Sequence, residues 1–275
     1  MKRLKRQPNP PRKCIFCGGT PISKEHVWAK WMRPYLPRGQ GVHMIQEGRF
    51  ADNTHTVRPG PLNVKGDLRS QKLKVVCRPC NHGWMGTLQE TTKPFLLPLL
   101  TRERDIIQSH ERKILAAWTT VFAFVYASSA PDHTTQNASQ RRTFMSDKAP
   151  PPYWIYWCAP FDGRSSPAFH FGIAQSKNIG PMISKNGVSD APAVHLTFCG
   201  AGGICFAIFG ANSQSSFQAF SQLVTMGIAQ AGFVQFWPTV ESIVRLSAGR
   251  SSAFSALDLL AVRGAVMNAM SHVRR

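Results

Sequence analysis

Two cysteine pairs are the residues of this 275-residue chain whose types and spacing point most directly to chemistry. Cys14 and Cys17 form the first Cys-x-x-Cys pair, and Cys77 and Cys80 form the second. Two residues between cysteines let both sulfurs face the same ion, and four thiolates surround Zn²⁺ tetrahedrally in structural sites. The sequence therefore predicts one structural zinc ion that ties together two distant segments, and its binding energy would be folding energy.

Each cysteine pair is followed by polar residues that suit a second, catalytic centre. Glu25-His26 comes after the first pair, and Asn81-His82 comes directly after the second. Histidine titrates near neutral pH and suits a general base, while carboxylate and amide oxygens are ligands for hard divalent cations. Two structural interpretations stand beside this one: His26 as a hydrogen-bonded histidine next to a zinc knuckle, and Asn81 as the N-cap of a helix.

The order Cys-x-x-Cys, Glu-His, Cys-x-x-Cys-Asn resembles the pattern of zinc-stapled HNH endonucleases, whose active site is a ββα-metal unit. The resemblance covers roughly residues 12–95. It implies a nuclease that hydrolyses DNA phosphodiester bonds with His26 as the general base. It also implies that Glu25 and Asn81 bind a catalytic divalent cation (Mg²⁺, Mn²⁺ or Ni²⁺), with His82 as the competitor of Asn81.

The chain departs from the HNH pattern in two places. The middle asparagine has no clear counterpart, because Gln71 and Lys72 occupy its neighbourhood. Asn53 and Asn63 lack the expected spacing, and Gln89 stands where the subfamily commonly has an acidic residue. An alternative function therefore stays open: a catalytically decayed HNH or zinc-ribbon protein that binds nucleic acid without cleaving it.

The charge of the chain is strongly positive and unevenly distributed. The formal net charge is +19, and residues 1–93 carry 18 Lys and Arg against 5 Asp and Glu, which leaves +13 around the cysteine pairs. A surplus of this size suits a polyanion, because each neutralised phosphate releases condensed counterions. We expect DNA as the partner and leave RNA open; a simple solubility feature is the other interpretation. The candidate phosphate-binding residues are Lys30, Arg33, Lys72, Lys74 and Arg78.

The start of the chain and its cysteines indicate the compartment. The first residues are charged and followed by proline, unlike a secretory signal. We expect a reducing, cytoplasmic and DNA-associated location, where paired cysteines bind metal rather than form disulfides. Residues 114–130 are largely apolar but short for a membrane span and interrupted by Thr and Ser, so a buried helix and no membrane partner are expected. Cys158, Cys199 and Cys205 lie in apolar segments and are predicted to be buried free thiols.

The pattern of apolar, polar and glycine-rich segments along the sequence predicts an α+β protein. The expected segments are a basic flexible arm (1–13), a zinc-stapled HNH module with a ββα-metal fold (14–95), a connecting helix (96–130), a linker or long loop (131–152) and a C-terminal α+β domain of unknown role (153–275). The C-terminal domain is a candidate for binding a protein partner, and the oligomeric state stays open.

Hydrophobic periodicity and chain breakers locate the elements that must position the candidate groups. A helix is expected after Cys80 up to Pro94, and another over 101–127. Residues 38–70 are rich in Gly, Pro, Asn and Arg and indicate loops with short strands. A hairpin is expected through residues 200–203. The expected C-terminal elements are strands at 153–157, 168–173, 194–198, 204–209 and 233–237 and helices at 216–226 and 256–273.

Overall fold

The fold is that of a computed structural model of the chain. The structure describes residues 13–38, 43–49, 55–59, 67, 69, 71–128, 137–174, 193–249 and 252–272. Of the predicted segments, residues 1–12 of the arm and 131–136 of the linker lie outside the described residues. Asn53, Asn63 and much of the segment 38–70 lie outside them as well.

Helices and mainly antiparallel strands make up the described residues, which confirms the predicted α+β class. The strands are β1 (Ile22–His26), β2 (His43–Arg49), β3 (His55–Pro59), β4 (Lys72–Cys77), β5 (Ile106–Gln108), β6 (Trp154–Pro160), β7 (Ala168–Ala174), β8 (Ala193–Ala201), β9 (Ile204–Ala211), β10 (Val234–Trp237) and β11 (Ile243–Arg245). The helices are α1 (Arg78–Cys80), α2 (Gly86–Leu100), α3 (Ser109–Ala127), α4 (Ala138–Asp147), α5 (Gln214–Gln230) and α6 (Ala256–His272). A 3-10 helix spans Lys30–Tyr35, and wider helical turns at Asn81–Met85 join α1 to α2.

A two-stranded antiparallel ribbon of β1 and β4 leads directly into the helix that carries the second cysteine pair. Ile22 pairs with Cys77 and His26 pairs with Lys72, so the cysteines and His26 lie at opposite ends of the ribbon. The register shifts after Ser23, as in a β-bulge. Bulges bend a strand and change the direction of the side chains that follow.

A seven-stranded sheet forms the second part of the structure, in the order β10-β6-β9-β8-β7-β2-β3. Neighbouring strands are antiparallel except β2 and β7, which run parallel. β2 and β3 come from the segment 38–70, for which we predicted loops with short strands, and they extend the sheet of the C-terminal part. The domain boundaries stay a prediction, although this pairing joins the two parts through their backbones.

Different helices cover the two faces of the large sheet. α3 packs against β7, β9 and β10, whereas α5 packs against β8 and β9 and carries α6. On the α3 face, Trp154 and Phe206 share one apolar core with Trp28 of the cysteine ribbon. On the other face, Phe198 packs in a separate core with Leu259 of α6. The predicted buried helix is therefore α3.

Within the described residues, no helix combines the length and the apolar composition that a membrane crossing needs.

Helix α2 continues through Pro94 to Leu100, so the predicted end at Pro94 was wrong. Pro94 and Pro98 both lie inside the helix, where a proline costs about 3 kcal/mol. The residues after Pro94 offset this cost, because Leu96, Leu99 and Leu100 are buried. Burial of one leucine contributes roughly 1.5–3 kcal/mol, so tertiary packing outweighs the local breakers.

The segment 96–130, predicted as a connecting helix starting near Thr101, divides into the end of α2, β5 and α3. α3 begins only at Ser109. Gln108 and Glu111 form a capping box in which each side chain accepts a hydrogen bond from the backbone N–H of the other residue. Because this box satisfies free N–H groups of the first turn, it defines the start of the helix.

Helix α4 lies in the segment 131–152, so the prediction of a linker or long loop was wrong for this part. The Asn137 side chain caps α4 by accepting a hydrogen bond from the Gln140 N–H at 2.6 Å. Arg141 and Phe144 are buried while most of the helix is polar. The helix was not evident from the sequence, because only a few side chains of α4 contact the rest of the protein.

The predicted hairpin of β8 and β9 is confirmed, and its turn packs against the end of α2. The Gly203 N–H donates to the Leu100 carbonyl at 2.8 Å. Gly202 has a φ of +52°, and a Cβ atom there would lie 2.5 Å from the Leu100 carbonyl oxygen. Position 202 therefore requires glycine both for its left-handed backbone and for the close approach.

We expect Gly202→Ala to lower the free energy of unfolding by about 1–3 kcal/mol, because alanine adds backbone strain and a clash with the Leu100 carbonyl. Gly264→Ala is the matched control. Gly264 lies in α6 with no atom within 4 Å of an added Cβ, so alanine should raise stability by about 0.5–1 kcal/mol. Chemical denaturation of the zinc-loaded protein measures both values, and equal effects would contradict the prediction.

Two buried histidines share one face of the large sheet. His170 and His195 stack with their ring centroids 5.6 Å apart, and His170 Nδ1 lies 2.7 Å from Thr197 Oγ1. Trp154 packs edge-on against His195 at 4.4 Å. Burial lowers the pKa of His170 to about 3, and burial together with the neighbouring His170 lowers the pKa of His195 well below its usual value. Both rings are therefore neutral in the folded protein at neutral pH.

The lowered pKa of His170 makes folding depend on pH. Burial of the neutral ring contributes stability that is fully present above the pKa of the unfolded chain, about 6.5. This stability is lost as the pH falls toward the pKa of the folded protein, about 3. At pH 5.5 the loss amounts to about 1 kcal/mol, because the unfolded histidine binds a proton and the folded one does not. His170→Gln removes this titration, so the stability difference between wild type and variant should shrink by about 1 kcal/mol from pH 7.5 to pH 5.5. Denaturation at both pH values measures the difference, and a constant value would refute the prediction.

Candidate metal centre and adjoining polar site

The four cysteines of the two pairs lie together at one end of the β1–β4 ribbon. Their Sγ atoms all lie within 4.8 Å of one another, and those of Cys17 and Cys77 are 3.4 Å apart. Zn–S bonds of about 2.3 Å in a tetrahedron place the sulfurs roughly 3.8 Å apart, so the spacing fits a zinc ion. Among the described residues, this is the one group of three or more Cys, His, Asp or Glu side chains that could share an ion.

Backbone hydrogen bonds shape the turn of the first cysteine pair. The Cys14 N–H donates to the Gly19 carbonyl at 3.0 Å, and the Gly19 N–H donates to Cys17 Sγ at 3.3 Å. The Ile15 N–H donates to the Val75 carbonyl at 3.0 Å, which attaches the turn to β4. The sulfurs of the first pair are thereby directed toward the second pair.

The thiols of this cluster have unequal tendencies to ionise. Burial raises the pKa of Cys77 and of Cys80. Burial also opposes ionisation of Cys14, but hydrogen bonds from backbone N–H groups, that of Cys17 first, hold its pKa below the usual value. A bound cation would compensate the charge of the thiolates, so metal binding would stabilise the folded form of this region.

The cysteine cluster packs against α3 and α4. Phe16, inside the first pair, makes edge-on contacts with Trp84 and Phe124 at centroid distances of 5.0 and 6.0 Å. Arg141 Nε of α4 donates to the Ile15 carbonyl at 2.9 Å. The helix in the predicted linker therefore supports the first knuckle.

Glu25 faces the helix that follows the second cysteine pair. Gln89 Nε2 donates to Glu25 Oε1 at 3.4 Å, and the Asn81 side chain also hydrogen-bonds to this carboxyl group. Asn81 Nδ2 lies 3.3 Å from Ser23 Oγ, to which it donates. Burial raises the pKa of Glu25 to about 7, although the hydrogen bonds from Gln89 and Asn81 lower it. A cation at this position would stabilise the ionised carboxylate.

Of the two candidate ligands on the helix, Asn81 faces Glu25 while His82 is exposed. Asn81 has helical angles (φ −62°, ψ −51°) and lies inside the helix, so the N-cap interpretation was wrong. The helix is irregular at Gly83, where ψ is −115°. A regular helix would separate Asn81 and Gln89 by about 80°, and the wider turns change this angle so that both amides contact one carboxyl group.

His26 ends β1 beside basic side chains. Arg33 Nη2 lies 3.0 Å from His26 Nε2, and Arg33 Nε donates to the Arg69 carbonyl at 3.0 Å. Burial lowers the pKa of His26, and the positive charges of Lys72, Arg33 and Lys30 lower it further. The neutral imidazole, which is the form that accepts a proton, is therefore favoured.

The predicted phosphate-binding residues divide into two groups. Lys74 is exposed two positions along β4 from Lys72 and projects from the same side of the strand. Arg78 directly follows Cys77, which lies about 17 Å along β4 from Lys72. Arg78 is therefore at the end of the ribbon that carries the cysteines. The structure does not bring Arg78 to His26. The basic residues whose charges act on His26 are Lys30, Arg33 and Lys72.

Several groups of this site were not predicted from the sequence. Ser23 contacts Asn81, and the Arg69 carbonyl anchors Arg33. Gln89 was noted as a departure from the HNH pattern, but its contact with Glu25 was not predicted. The position of Ser23 two residues before Glu25 on a strand was a usable signal, since such residues share a face. The Arg69 carbonyl left no signal, because backbone groups are common to all residues.

No family model, characterised protein or solved structure matches this chain. The HNH resemblance therefore rests on the residues quoted above. The four cysteines that could bind a metal, compatible with a zinc site, are the part of that resemblance that the structure supports.

We expect the wild-type protein to bind one zinc ion and Cys80→Ser to lose it, with a lower melting temperature because metal binding contributes to folding. Cys199→Ala is the matched control, because Cys199 is a buried free thiol on β8 outside the cluster. It should keep the full zinc content. Elemental analysis and thermal denaturation measure both properties, and full zinc retention by Cys80→Ser would show that the cluster is not the metal site.

Proposed function

We propose that this protein is a divalent-metal-dependent HNH endonuclease that hydrolyses DNA phosphodiester bonds. The observation that carries the proposal is the end of the β1–β4 ribbon, where His26 lies among basic side chains and its neighbour Glu25 faces Asn81. A candidate base, a candidate ligand pair and a basic edge are thereby adjacent. The antiparallel ribbon, the helix after it and the cysteine cluster that joins them support a ββα-metal unit.

His26 acts in this proposal as the general base. It takes a proton from a water molecule while the water oxygen forms a bond to phosphorus. The bond between phosphorus and the 3′ oxygen then breaks, and the leaving oxygen takes a proton from solvent. The lowered pKa of His26 supports this role, because it favours the neutral ring at neutral pH. Lys30, Arg33 and Lys72 bind the phosphate and balance its charge.

Glu25 and Asn81 are the residues that would hold the divalent cation. Their carboxylate and amide oxygens are the ligand types that hard cations such as Mg²⁺ prefer. When bound, the cation supplies charge stabilisation to the leaving oxygen. The raised pKa of the buried Glu25 supports this assignment, because a cation would offset the cost of its ionisation. His82 stays the second candidate ligand. Asn81 is favoured as the ligand because its side chain faces Glu25, whereas His82 is exposed.

A second function is a decayed HNH protein that binds nucleic acid without cleaving it. Two observations favour it: Arg33 contacts the Nε2 atom of His26, and Glu25 is only 5% exposed and bonded to Gln89. This alternative keeps the structural zinc and DNA or RNA as the partner, but His26 has no role as a base. Both functions imply a cytoplasmic protein associated with nucleic acid, which is DNA in the case of the nuclease.

We expect the zinc-loaded protein to nick or linearise supercoiled plasmid with Mg²⁺, Mn²⁺ or Ni²⁺. His26→Ala should lower the rate at least about 100-fold, because a general base contributes about 10²–10⁴-fold. His110→Ala is the matched control, since this exposed histidine of α3 contacts Phe95 and lies outside the proposed site. It should leave the rate unchanged. Gel electrophoresis of the plasmid forms measures the three rates.

Cleavage that persists unchanged in His26→Ala would refute the nuclease proposal. If none of the three cations supports cleavage while zinc and salt-sensitive DNA binding are retained, the decayed function is the correct one. The slope of log affinity against log salt then counts the phosphate contacts.

The role of residues 153–275, including a protein partner, stays a prediction. Exposed apolar side chains in this part include Met226, Val240 and Leu257, which are compatible with a contact surface. Because β2 pairs with β7, deleting this part would break the large sheet. Surface substitutions are therefore a better test of its role than truncation.

A further inference from the structure

The contact between His26 and Arg33 engages the atom that a base needs. Arg33 Nη2 lies 3.0 Å from His26 Nε2. A guanidinium group has five N–H donors and no acceptor, so Nε2 accepts the hydrogen bond and the ring proton of neutral His26 is on Nδ1. In the free protein the lone pair of Nε2 is therefore engaged by Arg33 and is not available to a water molecule.

Arg33 is anchored and carries a charge that the described part of the chain does not neutralise. Its Nε donates to the Arg69 carbonyl at 3.0 Å, while the 3-10 helix Lys30–Tyr35 supplies its backbone. The ion pairs among the described residues involve Arg69, Arg104 and Arg245, and Arg33 has no carboxylate partner there. The side chain is thus held at the end of β1 with its charge available to an anion.

The surroundings of Arg33 favour a phosphate as that anion. Lys30 and Lys72 add positive charge next to His26. A phosphodiester oxygen is charged, so its contact with the guanidinium group gains a Coulomb attraction that the neutral imidazole does not offer, and phosphates can pair with arginine through two parallel hydrogen bonds. A phosphate that enters between these basic side chains is therefore a better acceptor for Arg33 than the neutral imidazole.

We propose that Arg33 is a positioning residue that exchanges His26 for a DNA phosphate. In the free protein it donates to Nε2 of His26. When DNA binds, the guanidinium group donates to the phosphate and leaves Nε2 free to take the proton of the attacking water. The inference rests on the proposed function of His26 as the base, and it makes that base available only when substrate is bound.

The exchange is tested by ¹⁵N NMR of the His26 ring in the zinc-loaded full chain. Ring nitrogen shifts distinguish a protonated nitrogen, a hydrogen-bonded acceptor and a free lone pair. Spectra are recorded with and without a short DNA duplex, and no divalent cation is added, so the DNA stays intact. We expect a hydrogen-bonded Nε2 in the free protein and a shifted Nε2 signal with DNA. Arg33→Ala should show the signal of an Nε2 without its arginine donor even before DNA is added.

Cleavage kinetics of the Arg33 variants give an independent readout. Arg33→Ala should raise KM roughly tenfold, the effect of losing one charge-assisted hydrogen bond, and should change the saturated rate by less than about threefold. Arg33→Lys keeps the positive charge but has a single side-chain nitrogen. Its KM should therefore lie between those of the wild type and Arg33→Ala, and its free form should not show the Nε2 signal of the free wild type. Arg164→Ala, an exposed arginine between β6 and β7, is the control and should change neither property.

Three of the four possible outcomes separate this inference from the nuclease proposal. If DNA binds and is cleaved but the Nε2 signal does not change, the exchange is refuted and the nuclease function stands. A saturated rate that falls about a hundredfold with KM unchanged also refutes the exchange, because Arg33 would then be needed at His26 during hydrolysis. A shifted signal in a protein that cuts no DNA supports the exchange as a binding step and refutes the nuclease. Absence of DNA binding refutes both.

Discussion

The convergence of four cysteines is the constraint on which the arrangement of the candidate site depends. It joins the turn of the first pair to the end of β4 and to the start of the helix. Burial raises the pKa of Cys77 and Cys80, so a bound ion would stabilise their thiolates. With this end of the ribbon held, the pairing of Ile22 with Cys77 sets the register at the start of β1, and the shift after Ser23 brings His26 opposite Lys72.

Glu25 and His26 are neighbours in the chain but occupy different chemical environments. The strand alternates its side chains, so Glu25 is directed into the helix and His26 toward the basic edge. Burial raises the pKa of Glu25 to about 7, whereas burial and three cationic side chains lower that of His26. The two adjacent residues thus differ in how charge affects them: a nearby cation would favour the ionised form of Glu25, whereas the cations beside His26 favour its neutral form.

Local patterns predicted the elements whose stability is local. The cysteine spacing, the C-terminal strands and the β8–β9 hairpin are of this kind, because each depends on residues close together in the chain. The exceptions have one cause. α2 passes Pro94 since the leucines beyond it are buried, and α4 forms in a polar segment since Phe144 and Arg141 pack inward. In both cases tertiary contacts outweigh the local preference that the sequence displays.

The amino-acid sequence by itself determined the ligand types of the cysteine cluster, the positive charge around it and the presence of an acid–histidine pair. These follow from residue identity and short spacing. Only the tertiary structure decided that Asn81 and Gln89 meet Glu25, that Arg33 engages His26 and that α4 supports the first knuckle. These contacts join separate elements through strand register, a kinked helix and a backbone carbonyl, and no local sequence pattern encodes such distances.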